Sequence, residues 1–181
     1  MDARSSDPLS NFWLVRALAA HDGAKILVGG YYDFINGAPA GGVSRLLPTS
    51  TPDATYNPGG QGANSMVDAL EPLSDGRTLI GGSFSRYNGR AVGYVTRLNA
   101  DGTPDPTFNP GGTGADGQVL DIQRDRQDRI LLAGSFRHYN GQPVGAVTRL
   151  LPDGTLDPTF AAPMTNGGVA FSVATDAAGN V

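Results

Sequence analysis

Leu79-Ile80-Gly81-Gly82-Ser83-Phe84, followed by Tyr87-Asn88-Gly89 and then by Arg97-Leu98, is the stretch that decides the fold, because the chain contains it three times. Gly30, Gly82 and Gly134 occupy one position of a unit 52 residues long. So do Asn36-Gly37, Asn88-Gly89 and Asn140-Gly141, and so do Arg45-Leu46, Arg97-Leu98 and Arg149-Leu150. A fixed period of this size marks a repeat architecture, in which each unit is one supersecondary element that buries its faces against its neighbours.

Within the second copy, residues 67–73 read as a strand and Ser74-Asp75-Gly76 as a turn, since Asp-Gly accepts the positive φ of a tight hairpin. Residues 77–84 read as a second strand, Tyr87-Asn88-Gly89 as the centre of a loop, and residues 91–98 as a third strand. Asp101-Gly102 is another turn. Residues 104–108 are expected as a short peripheral fourth strand, because Pro104 cannot donate to an interior ladder. Residues 11–20 and 118–133 have helix-forming composition, but the register assigns them to strands: Val15, Leu18 and Lys25 fall on Val67, Leu70 and Arg77, then on Val119, Ile122 and Arg129. Both parities of residues 78–84 are apolar or small, so each sheet is expected to be covered on both faces rather than wet on one. The pairs Gly29-Gly30, Gly81-Gly82 and Ala133-Gly134 lie inside a strand, where small residues let another backbone approach closely.

Short antiparallel strands, four to a unit and repeated radially, describe propeller blades. The expected fold is all-β, a β-propeller-type array of three four-stranded antiparallel blades plus the start of a fourth, completed by oligomerisation or left partial. A three-fold β-trefoil-like body is the alternative, and it would need one wet face per sheet. The chain divides into a lead-in at 1–14, blades at 15–66, 67–118 and 119–169, and a partial blade at 170–181. Asp7-Pro8 resembles the end of a preceding unit, and Gly179-Asn180 a turn of the fourth. Open edges recruit other strands, so the partners expected are a second copy of the chain or further blades of the same polypeptide.

The motif Leu79-Ile80-Gly81-Gly82-Ser83-Phe84, Tyr87-Asn88-Gly89, Arg97-Leu98-Asn99-Ala100-Asp101-Gly102 and Asp105-Pro106-Thr107-Phe108-Asn109-Pro110 resembles the delta-60 repeat family of bacterial propeller-type repeats. The resemblance runs from about Val15 to Val181. It implies a propeller and a place in large secreted or cell-surface proteins, and it implies no particular chemistry. Copy 1 departs from the motif at Thr49-Ser50, which stands where the others have Asp-Gly, and copy 3 departs after Phe160.

Composition excludes more than it selects. There is no cysteine, hence no disulfide, thiol nucleophile or thiolate metal site. A formal net charge of −4 disfavours nucleic acid and anionic lipid. No apolar run spans a membrane, and residues 1–10 lack the apolar core of a signal peptide.

Arg45, Arg97 and Arg149 each precede an acid by eight residues, Asp53, Asp105 and Asp157, which gives either an anion-binding ring or an ion pair within each blade. A residue repeated in every unit favours the ion pair. The acidic turns lack the spacing of a calcium loop, and Gly111-Gly112-Thr113-Gly114 lacks the Lys-Ser/Thr of a phosphate loop and reads as a connector. His21 and His138 are expected as solvated loop residues. No cofactor or metal is expected. The residues that vary between copies follow the second strand: Asp33-Phe34-Ile35, Ser85-Arg86-Tyr87 and Arg137-His138-Tyr139. On a rigid scaffold such tips make a binding face, so Arg86, Tyr87, Asn88, Arg137, His138, Tyr139 and Asn140 are the expected ligand-binding residues. The expected function is a non-catalytic scaffold or adhesion module with a protein or glycan ligand. A lectin with one site per repeat is the alternative. A glycan-active enzyme, which would draw on Asp68, Asp116 and Asp121, is the remaining one.

Overall fold

The computed structural model describes residues 13–161, 168–176 and 181. Among these residues the regular structure is β-strand alone. The first unit holds β1 (Leu14–His21), β2 (Lys25–Tyr31), β3 (Phe34–Ile35), β4 (Ala38–Pro39) and β5 (Val43–Leu46). The second holds β6 (Val67–Pro72), β7 (Thr78–Gly82), β8 (Arg86–Tyr87), β9 (Arg90–Ala91) and β10 (Val95–Leu98). The third holds β11 (Val119–Arg124), β12 (Ile130–Gly134), β13 (His138–Tyr139), β14 (Gln142–Pro143) and β15 (Val147–Leu150). Each unit makes one antiparallel sheet, in the orders β1-β2-β5, β6-β7-β10 and β11-β12-β15. The fourth, outermost segment joins through a single rung in every copy: Pro52 opposite Leu46, Pro104 opposite Leu98, Leu156 opposite Leu150. These are all-β propeller blades, and their separate sheets set the trefoil-like alternative aside.

Two details differ from the sequence expectation. The loop between the second and third strands is a two-stranded ribbon, β3–β4, β8–β9 or β13–β14. Its tip is Asn-Gly with both residues at positive φ, as at Asn88 (48°) and Gly89 (77°), the geometry of a type I′ hairpin. Second, the innermost strand of every blade carries a β-bulge, at residues 15–17, 67–69 and 119–121. The bulge explains the small pairs. A Cβ at Gly82 would collide with the carbonyl oxygen of Met66, which leads into the bulged strand, while a Cβ at Gly81 would press into Val119 and Ile122 of the next blade.

The core lies between blades. Leu27 and Val43 of the first blade pack on Val67, Ile80 and Leu98 of the second, and Leu79 and Val95 of the second on Ile122, Leu132 and Leu150 of the third. The outer side of the third blade, Leu131, Ala133 and Val147, is covered by Ala170 and Val173. Residues 168–176 form no ladder, but Ala170 N–H donates to the Gly134 carbonyl (3.1 Å) and Val173 N–H to Asp121 Oδ2 (2.9 Å). Asp7-Pro8 and the Gly179-Asn180 turn lie outside the described residues.

Among the described residues, the first blade has one face that nothing covers. Leu18 is 68% exposed, whereas Ile122 in the third copy is 1% exposed; Val15 and Ile26 are exposed, whereas Val119 and Ile130 are buried. The expectation of burial on both faces holds for β7 and β12 and fails here. His21 is a second correction. It is buried, with its Nε2–H donating to the Gly76 carbonyl across the blade seam (2.9 Å). Its position at the end of β1 places it against the following blade's hairpin instead of in solvent.

The missing Asp-Gly of copy 1 leaves a mark. Ser50 is a non-glycine residue at φ 63°, where copies 2 and 3 have Gly102 and Gly154. The left-handed region disfavours a Cβ by about 1–2 kcal/mol, and Ser50 is exposed. Ser50→Gly is expected to raise stability by about 0.5–1 kcal/mol after the added freedom of the unfolded chain is subtracted, or about 1–4 °C in Tm. Calorimetry checks this; a fall in Tm contradicts it.

Candidate functional site

The repeated polar residues build the blade. Arg45 Nε donates to Asp53 Oδ2 at 2.9 Å, and the Arg97–Asp105 and Arg149–Asp157 bonds are both 2.7 Å. Each aspartate also accepts the N–H and hydroxyl of the threonine two residues on, as Asp105 does from Thr107. Each guanidinium lies over an aromatic ring, Tyr56, Phe108 or Phe160, 4.8–5.2 Å from the centroid. Arg45 and Arg97 reach further, to the carbonyls of Ala100 and Pro152 in the next unit. The arginines are thus ion-paired within the blade and stapled to the following one, as the repetition suggested, and do not form an anion ring.

The electrostatics follow from these bonds. The Thr55 hydroxyl, working against desolvation and aided by the Thr55 N–H and Arg45, holds Asp53 at about 2. Burial pushes Asp157 up, but Thr159 and Arg149 outweigh it and bring the carboxyl to about 2. At Asp116 burial is likewise outweighed, by the N–H groups of His138 and Arg137 and by the His138 ring, and the carboxyl settles at about 2.

The seven expected site residues separate into two groups. Tyr87 and Tyr139 are fully buried, and their hydroxyls donate to the carbonyls of Gly102 (3.0 Å) and Gly154 (2.7 Å). Burial pushes both phenols up. They are core residues, a correction that follows from the inward side of β8 and β13. Asn88 and Asn140 pair amide to amide with Asn57 and Asn109 and accept the N–H of Gly62 and Gly114. They lock the glycine-rich connector onto the ribbon tip, so that run is indeed a connector. Arg86, Arg137 and His138 are exposed. Asn64 accepts the N–H groups of Ser85 and Arg86, and Asp116 those of Arg137 and His138 while also bonding His138 Nδ1 (2.8 Å). In the second and third units one acceptor therefore fixes the direction of the exposed tip.

These tips do not gather into one site. Arg86 borders a groove, a cavity of about 940 Å³ between the ribbons of the first and second blades. Its floor is the connector at residues 60–65, and one wall is the first ribbon. Trp13, Tyr31 and Phe34 line it, exposed to 50%, 49% and 47%. Tyr32 lies beneath, its hydroxyl bonded to the Val28 carbonyl (2.6 Å) and pushed up to about 12 chiefly by burial. The aromatic trio does not repeat: Ser65, Ser83 and Arg86 hold these positions in copy 2, and Gly117, Ser135 and His138 in copy 3. Sequence reasoning aimed at repetition passed over Trp13 and Tyr31, although the break in the repeat at Phe34 was visible.

The acids Asp68, Asp116 and Asp121 each have their own partners. Asp68 sits in the bulge of β6, accepting from Arg16 of the first blade (3.2 Å) and from Gln118 just before β11 (2.8 Å). Asp121 holds Ser172 and Val173. Among the described residues no group of three His, Cys, Asp or Glu is placed to hold a metal ion, and no helix is long and apolar enough to cross a membrane.

A family model described as a domain of unknown function (DUF5122) beta-propeller matches residues 25–56, 73–108 and 128–160, one match per blade. No curated protein matches the chain. Among solved structures, the chain is similar to a protein of unknown function from Bacteroides caccae at 16% identity and a TM-score of 0.49. The similarity covers 95% of this chain and 53% of that one, so the chain spans about half the length of that protein.

Proposed function

The chain belongs to the DUF5122 beta-propeller family, and from that premise we propose that it is a non-catalytic scaffold segment that joins further blades of its own kind and carries a binding surface on its ribbon face. We assign its units to the delta-60 type on the Gly-Gly, Asn-Gly and Asp-Pro-Thr-Phe positions quoted above. The observation that carries the scaffold reading is the face of β1 and β2 that no described residue covers. Val15, Leu18 and Ile26 stand there at positions whose counterparts in copies 2 and 3 are mostly buried against a preceding blade. Leu70 and Ile122 press over Gly29 and Gly81 of the blade before them, and Leu18 is the same knob. What fits it is another blade with a small residue in the middle of its second strand, supplied by a longer polypeptide or a second copy. The non-catalytic reading is supported by the acids, each held by a partner of its own. A lectin with one site per repeat gains no support from tips as unlike as Phe34, Arg86 and His138.

A pair of substitutions tests the scaffold reading. Ile122→Ser in a covered face is expected to lower stability by about 3 kcal/mol or more. Leu18→Ser is expected to stay within about 0.5 kcal/mol and to reduce concentration-dependent association in sedimentation velocity. A loss at Leu18 equal to that at Ile122 would mean the chain already covers this face, and the reading would be withdrawn.

A further inference from the structure

We propose that the groove between the first two blades binds a neutral oligosaccharide, with Trp13, Tyr31 and Phe34 as the stacking platform and Gln61 and Arg86 as donors to hydroxyls. The inference rests on the reading of the ribbon face as a binding surface and adds the class of ligand. Three observations carry it. The cavity of about 940 Å³ falls within the range of ligand pockets, ~300–1,000 Å³. Its three exposed aromatics stand where the other copies have serine, glycine, arginine or histidine. A core or interface requirement would recur with the repeat, whereas this trio belongs to one seam. The platform also rests on fixed parts. Phe34 lies in β3, paired in register with Pro39, and Tyr31 ends β2 opposite Leu14.

The chemistry around the platform narrows the class. A sugar ring is amphipathic, with an apolar C–H face and a rim of hydroxyls. It needs a flat aromatic partner beneath and donors and acceptors at the edge, and aromatic side chains supply large contact area with little lost freedom. Amide, guanidinium, carboxylate (Asp33) and glycine backbone groups line the groove together with the aromatics. Arg86 donates Nη1–H to the Gly89 carbonyl (2.9 Å), which aims the guanidinium with four further N–H donors remaining. A cationic ligand, the other common guest of aromatic clusters, meets the Arg86 guanidinium as well as the Asp33 carboxylate, so the groove offers it no net charge, whereas a neutral ring uses both as hydrogen-bonding groups. A nucleic acid meets a chain of net charge −4.

Trp13 is the only tryptophan in the protein, so its fluorescence reports on the groove alone. The experiment titrates the full chain with neutral tetrasaccharides of β-1,4-glucose, β-1,4-N-acetylglucosamine, α-1,4-glucose and α-mannose, and with a proline-rich decapeptide. A saturable emission change is expected with at least one saccharide. Tyr31→Ala and Phe34→Ala should each weaken it about tenfold with Tm unchanged, since both side chains are half exposed. Arg126→Ala, exposed on the hairpin between β11 and β12 of the third blade, should leave it unaltered. A response to the peptide alone overturns the saccharide assignment and leaves the binding surface standing. Silence from all five ligands overturns the assignment and removes the groove from the binding surface. Equal weakening by Arg126→Ala overturns the single-seam site.

Discussion

Arg97→Ala is expected to destabilise the protein by about 3–5 kcal/mol, a fall of roughly 6–20 °C in Tm for a chain of this size. The side chain is nearly buried, with its guanidinium on Asp105, on Thr107 Oγ1 (3.2 Å), on the Pro152 carbonyl (2.7 Å) and over the Phe108 ring. Truncation leaves the Asp105 carboxylate buried with less compensation, and breaking a buried pair on one side is more damaging than never having made it. Arg77 Nη1, 3.1 Å from the same carboxylate, softens the loss. The carbonyl bond to Pro152 joins blade two to blade three, so the effect includes their docking. Arg149 has the Asp157 and Thr159 bonds and the Phe160 ring but is more exposed, and Arg149→Ala is expected to cost about half as much. Arg97→Lys should recover little, because an ammonium cannot make the three divergent bonds. Thermal and urea unfolding of the three variants check the ranking. A Tm change under about 2 °C for Arg97→Ala, or Arg149→Ala proving the worse, would show that the staple contributes little.

That ranking depends on contacts which sequence reading reaches only in part. The eight-residue interval from Arg97 to Asp105 is local to one hairpin, so the ion pair was legible. The reach from Arg97 to Pro152 crosses 55 residues and depends on how blades stack. The same division runs through the fold. Strand order and turns were legible because Asp-Gly, Asn-Gly and the apolar runs recur in register. The ribbons were read as loops because two-residue strands leave no periodicity. Tyr87 and Tyr139 sat beside exposed, variable residues and were read with them; alternation along a two-residue strand puts Arg86 outside and Tyr87 inside. The amide pair of Asn57 and Asn88 spans 31 residues and carries no local signal. The groove needed the opposite habit of reading. Repetition identifies what every blade requires, and so the residues free for a ligand are those where copies disagree. Phe34, Arg86 and His138 disagree most plainly.

Acid should unfold this protein well before it affects a propeller without such pairs. Asp53, Asp116 and Asp157 lie at about 2, against an ordinary value of 3.8, and Asp105 is also held well below that value, where Thr107 and Arg97 outweigh burial. A carboxyl whose pKa is depressed by folding stabilises the native state above its unfolded pKa. That contribution drains away as pH falls through the folded pKa. Stability should therefore be level from about pH 7 to pH 5, decline from about pH 4, and have lost most of this contribution by about pH 2. The expected fall in Tm between pH 5 and pH 2.5 is on the order of 10 °C or more, since several carboxylates act together. Salt should change the outcome only modestly for Asp53 and Asp157, whose side chains are nearly buried, and more for Asp116, which is half exposed beside His138. Asp53→Asn isolates one blade. It starts from a lower Tm at pH 7 and loses less on acidification, so its curve and that of the unaltered protein converge near pH 2. Parallel curves would mean that the Asp53 pair does not distinguish the folded from the unfolded chain, and the threonine and arginine bonds to it would then be surface decoration rather than the rivet of the outer strand.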